Sequence, residues 1–108
     1  MADVVWSEHA RDRVREQAQY ILQESCAPDI AMKWANDIFS AAETLADFPE
    51  SGRRLPEFPD SPYRELIVRK NFRVIYRYNE GVCSVITVRR CSMELNESVL
   101  QSFDYVTS

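Results

Sequence analysis

Five arginines, Arg64, Arg73, Arg77, Arg89 and Arg90, fall within one short stretch of this 108-residue chain. Between Tyr63 and Cys91 seven basic residues stand against two acidic ones, Glu65 and Glu80, a local charge of +5. The whole chain has a formal net charge of −4, so the rest carries −9. Of the 13 basic residues only Lys33 and Lys70 are lysines. Arginine is a planar fork of N–H donors that suits two-point recognition of carboxylates and phosphates, and it is a poor general base because it stays charged at any working pH. The chemistry open to this stretch is anion recognition. A single arginine on a strand can serve solubility or edge protection; a cluster on one face points to a partner.

These side chains need a scaffold. Tyr63–Arg69, Phe72–Tyr78 and Val82–Arg89 are runs rich in Val, Ile, Tyr and Phe, separated by Lys70-Asn71 and Asn79-Glu80-Gly81, which predicts an antiparallel meander. Alternation along the middle run sets Phe72, Val74, Tyr76 and Tyr78 on one face and Arg73, Ile75 and Arg77 on the other. In the flanking runs Arg64 shares a face with Leu66 and Val68, and Arg89 with Cys83, Val85 and Thr87. A pocket of Arg64, Arg73, Arg77 and Arg89 is therefore geometrically possible, and Arg64 and Arg73 are expected on the sheet face opposite the helices.

Upstream, Val4-Val5-Trp6 reads as a short strand, and Ser7 as the N-cap of a helix over Glu8 to about Glu24, which ends before Pro28. Ala10, Val14, Ala18, Ile21 and Leu22 keep helical spacing there. Asp29 is expected to cap a second helix reaching about Asp47, with Trp34, Ile38 and Leu45 among its core residues. The two helices form an antiparallel hairpin. Pro49 to Pro62 holds four of the five prolines and Gly52 and reads as a crossing loop. From Met93 onward, Leu95, Val99, Leu100 and Phe103 suit a short amphipathic C-terminal helix. The expected fold is α+β: an N-terminal strand, a helical hairpin, a three-stranded antiparallel meander and a short C-terminal helix, in a single domain spanning 1–108.

Composition narrows the function classes. Cys26, Cys83 and Cys91 are an odd set without CxxC spacing, which suggests neither a disulfide framework nor a zinc site. The absence of a basic-then-apolar leader and of an apolar run near membrane-spanning length leads us to expect a cytoplasmic protein away from membranes. The acidic total disfavours direct nucleic-acid binding, because Lys and Arg neutralisation of phosphates supplies most non-specific affinity. Gly52-Arg53-Arg54 lacks the glycines and lysine of a phosphate loop, and His9 has no partners at metal-ligand spacing.

The blocks Phe48-Pro49-Glu50-Ser51-Gly52-Arg53, Tyr63-Arg64-Glu65-Leu66, Asn71 to Tyr78 and Val85-Ile86-Thr87-Val88-Arg89, in this order, resemble the RelE/ParE toxin superfamily over about residues 3 to 95. That resemblance implies the toxic half of a bacterial toxin–antitoxin pair, either cutting messenger RNA on the ribosome or inhibiting DNA gyrase. A cleaving member needs a group to activate the 2′-hydroxyl, a cationic clamp on the phosphate and a proton donor. Arg73 and Arg64 match cationic positions of the family pattern, but Leu66 replaces a second lysine, and Arg89-Arg90-Cys91-Ser92-Met93-Glu94 supplies no basic residue at Cys91 and no nearby His or Tyr. Glu65, Tyr76, Tyr78 and Glu94 remain conceivable proton-transfer groups, and strand tyrosines are more often packing residues. The expectation is thus a ParE-like gyrase inhibitor with no catalytic residue, metal or cofactor. Arg64, Arg73, Arg77, Arg89 and Arg90 would bind the target or a cognate antitoxin in a hetero-oligomer. The alternatives are a ribosome-dependent endoribonuclease, with Arg64, Arg73 and Arg89 as clamp, and an inactive orphan serving only as a binding module.

Overall fold

The structure is a computed structural model describing residues 1–104. Strand β1 (Asp3–Trp6) leads into helix α1 (Glu8–Ser25) through Ser7, whose hydroxyl accepts from the Ala10 amide at 3.0 Å. The same hydroxyl donates to the Ile86 carbonyl at 3.2 Å, so this N-cap also ties the helix to the sheet. Cys26 ends α1 in the left-handed conformation, its amide returning to the Leu22 carbonyl.

Helix α2 (Pro28–Glu43) opens with proline, where a missing N–H is harmless. Its cap position is Ala27, without a side-chain bond, so Asp29 does not act as the expected cap but sits in the first turn, where its charge favours the helix dipole. A 3-10 turn, Thr44–Ala46, occupies most of the stretch expected to continue the helix.

The sheet has five strands rather than four. They are β1, β2 (Arg53–Arg54), β3 (Tyr63–Val68), β4 (Phe72–Asn79) and β5 (Val82–Arg90), arranged β1-β5-β4-β3-β2. β1 runs parallel to β5, and the other neighbours are antiparallel. The β4–β5 connection is the two-residue turn Glu80-Gly81 with positive φ at both positions, the geometry that matches strand twist in tight hairpins. Between β3 and β4, Arg69 and Lys70 also take positive φ.

Both faces of the sheet are covered. Against the hairpin face, Trp34, Ile38, Ala42 and Leu45 pack on Val74, Tyr76, Val85 and Val88, with the Trp34 and Phe72 rings edge-to-face at 5.1 Å. On the far face, helix α3 (Glu97–Asp104) and the proline loop build a second, smaller core from Leu55, Tyr63, Ile75, Ile86 and Leu100. The expected core residues Trp34, Ile38 and Leu45 are at most 1% exposed.

Ile38 is fully buried at the centre of the hairpin contact. Ile38→Ala is expected to lose about 2–5 kcal/mol in a urea titration. Ile38→Asp, which strands a carboxylate there, is expected to leave no cooperative transition by circular dichroism.

Candidate functional site

Strand register assigns the arginines to faces. Arg73 of β4 stands between Ile67 of β3 and Arg89 of β5, on the face away from the hairpin. Glu65, one pair along β3, turns the same way and is completely buried as a side chain. Its carboxylate is held by Arg73 Nη1 at 3.1 Å and by Arg53 Nε at 2.7 Å, Arg53 being its neighbour across the β2–β3 pair. Glu57, from the proline loop, grips Arg73 from above, with Nη2 to Oε2 at 2.7 Å and Nη1 to Oε1 at 3.1 Å. The hydrogen bond from Arg73 draws the Glu57 carboxyl below its usual range. Against the desolvation that burial imposes, the bonds to Glu57 and Glu65 hold Arg73 firmly protonated.

Arg77 lies on the same face and forms a fork with Asp104 of α3, Nε to Oδ2 at 2.8 Å and Nη2 to Oδ1 at 3.0 Å. The Tyr63 hydroxyl donates to the same Oδ2 at 3.2 Å, and burial, then the Asp104 charge, pushes the phenol up to about 12. Arg89 is half-buried and, among the described residues, has no carboxylate partner; its Nη2 reaches the Glu94 carbonyl at 3.4 Å.

The pocket of four arginines is thus split. Arg64 does not share the Arg73 face. It is directly opposite Tyr76, and its parity with Leu66 and Val68 puts it on the hairpin side, contrary to the sequence expectation. Its guanidinium donates to the Gly52 carbonyl at 2.8 Å and to the Glu50 carbonyl at 3.3 Å. The buried Tyr76 hydroxyl completes that clasp by accepting from the Gly52 amide at 3.0 Å and donating to the Pro49 carbonyl at 2.9 Å. A Cβ on Gly52 would come within 2.6 Å of the Tyr76 ring, so glycine there is dictated by close approach. Arg90 also faces the hairpin, its guanidinium carbon 5.7 Å from the centre of the Tyr20 ring and 5.4 Å from that of Phe72.

The expected sharing of one face by Cys83, Val85, Thr87 and Arg89 fails for a related reason. A bulge between Ile75 and Tyr76 in the β4–β5 ladder leaves Ile86 unpaired, so Cys83 and Val85 face the hairpin while Thr87 and Arg89 face away. Sequence reasoning also left His9 isolated at the start of a helix. Its Nε2 lies 3.1 Å from Thr87 Oγ1, and its ring stacks on Phe103 of α3 at 3.7 Å. Burial first, then the Arg13 charge, lowers its pKa, which leaves it neutral at pH 7. The signals that could have found it are its i, i+4 spacing to Arg13 and the Thr87 hydroxyl, neither of them distinctive in a sequence.

Residues 4–95 match a family model described as the ParE toxin of the type II toxin-antitoxin system, parDE. The chain belongs to the ParE toxin family. It is 30% identical over 92 residues to Toxin RelE2 of Caulobacter vibrioides, covering 85% of this chain and 98% of that relative. A solved chain of the chromosomal ParDE system from P. aeruginosa shares the fold, with a TM-score of 0.70 at 17% identity, covering 83% of this chain and 96% of that one. Among its described residues this ParE-family chain has no helix long and apolar enough to cross a membrane. Among its described residues no three His, Cys, Asp or Glu side chains converge as metal ligands.

Two predictions follow from this ParE-family geometry. Glu57 titrates lower folded than unfolded, so its contribution to stability is present above the ordinary carboxylate range and is lost as pH falls through the depressed value. Chemical denaturation at pH about 3 and about 6 is expected to show an acid loss of stability that Glu57→Gln reduces. Tyr76→Phe removes the hydroxyl from Gly52 and Pro49, and about 1–3 kcal/mol of stability is expected to go with it in a urea titration.

Proposed function

We propose that this toxin-family chain acts by binding DNA gyrase and blocking supercoiling, needs no cofactor, and is neutralised by an acidic, partly disordered antitoxin that wraps it. The observation that carries the reading is the occupancy of Arg73. Its Nη groups already hold two carboxylates and its side chain is 5% exposed. Arg53, Arg73, Glu57 and Glu65 sum to zero charge, so the centre of the face is neutral and no vacant clamp stands there for a scissile phosphate.

Two strand tyrosines are equally committed. Tyr76 is locked to Pro49 and Gly52, and Tyr63 binds its proton too tightly to give it up readily. The family model's own description supports the ParE-like side of the superfamily.

An antitoxin segment has a suitable seat. Two mainly apolar hollows on the hairpin share Arg15, Ala18 and Ala35 in their linings, with Leu22 and Met32 in one and Phe39 in the other. Leu22, Met32 and Phe39 are 38–64% exposed, large apolar side chains left facing water. An amphipathic helix with acidic flanks fits this surface.

One observation favours the ribonuclease reading, the neutral His9 in the field of the unpaired Arg89. The experiment that separates the two is direct. Titrating the purified chain into gyrase is expected to abolish supercoiling, while message in a purified translation system stays intact. Codon-specific cleavage that disappears in His9→Ala, with gyrase unaffected, reverses the assignment. Met32→Asp is expected to weaken antitoxin rescue about tenfold on co-expression, with toxicity retained.

A further inference from the structure

His9, Arg13 and Gln17 follow one another at four-residue spacing and form a single half-buried flank of α1. At one end His9 meets Thr87; at the other, Tyr20 lies beneath Arg90. The flank therefore tracks β5 from Thr87 to Arg90. Four helix residues advance about 6 Å and two strand residues about 6.7 Å, which sets Arg13 alongside Arg89.

Three donors here, on Arg13, Gln17 and Arg89, lack a good acceptor, whereas His9 is paired with Thr87. Arg89 Nε and Gln17 Nε2 are buried and, among the described residues, find no hydrogen-bond partner. Among the described residues Arg13 reaches Glu16 alone, at 3.6 Å, and that carboxylate is 63% exposed. Burial, then the charges of Arg13 and Arg73, make Arg89 a weaker proton holder than a free arginine, the sign of a cation lacking compensation. By contrast, Arg53, Arg73 and Arg77 on the same face each hold a carboxylate.

We propose that the cleft between α1 and the end of β5 is a binding site for a carboxylate of a protein partner, with Arg13 and Arg89 taking its oxygens and the Gln17 amide donating to one of them. The inference presumes a protein partner but is independent of whether gyrase is the target. A carboxylate rather than a phosphodiester is favoured on two grounds. The neighbouring arginines on this face already select carboxylates, and the acidic chain, with Glu57, Glu65 and Glu94 close by, repels an extended polyanion more than one side chain.

The test follows the Arg89 Nε–Hε and Gln17 side-chain amide resonances of the isotopically labelled full chain. N-acetylglutamate N-methylamide serves as the carboxylate probe and dimethyl phosphate as the phosphodiester probe. Saturable shifts with the carboxylate probe are expected, at an affinity at least about threefold above that for dimethyl phosphate. They are expected to vanish in Arg89→Gln and in Arg13→Gln and to persist in Lys33→Gln. Arg13 lies on a helix flank, so its variant keeps the test readable if Arg89→Gln unfolds. No saturable shift, tighter binding of dimethyl phosphate, or shifts surviving in Arg13→Gln overturns the proposal. A supercoiling assay failing alone leaves it standing.

Discussion

A carboxylate with no access to water cannot stay charged unless cations enclose it, and Glu65 sets that condition for this fold. Arg53 must come from β2 and Arg73 from β4, which fixes the edge strand to the meander at one point. Arg73 then requires a further acceptor of its own, and Glu57 brings the proline loop down onto the sheet to supply it. A single buried acid thereby recruits two strands and a fourteen-residue crossing and consumes the most central arginine of the basic stretch. What remains for recognition lies at the margins, where Arg89 meets α1.

Much of the scaffold was legible in the sequence because it rests on local periodicity. The Ser7 cap, the hairpin, its Trp34–Ile38–Leu45 stripe and the meander all follow from spacing of 3.6 or 2. The errors have specific physical origins. Arg64 shares parity with Leu66 and Val68, and that apolar company is the available sign that it faces the helices, a sign that the like charges around it mask. The bulge at Ile86 adds one residue to β5 and inverts everything before it, and no residue type announces it. β2 is two residues long inside a proline-rich loop, too short for any pattern. The acids that neutralise the arginines, Glu57 and Asp104, lie sixteen and twenty-seven residues from their partners, so their contribution appears only when the chain is folded.

The molecule presents two surfaces of opposite character. The hairpin offers apolar walls to a helix, while the far face is a mosaic of charge pairs sealed by α3 through Leu100, the His9–Phe103 stack and the Asp104 fork. A partner that wraps the protein would exploit desolvation on the first and geometry on the second, because buried apolar area gives affinity and paired guanidinium groups give register. Membership of the ParE toxin family supplies the context in which an antitoxin partner is expected.

The parallel pairing of β1 with β5 carries a consequence for synthesis. Asp3 to Trp6 have their sheet partners at Val82 to Val85, and the hydroxyl that caps α1 is anchored at Ile86. β1 therefore finds its place only after the much later β5 has been made. Closing so long a loop must precede the contacts that reward it, so the hairpin waits, half-assembled, for the C-terminal third of the chain. A nascent chain built this way acquires its working shape only once β5 has been translated, and a truncated product lacking β5 leaves both the strand and the cap without a sheet to join.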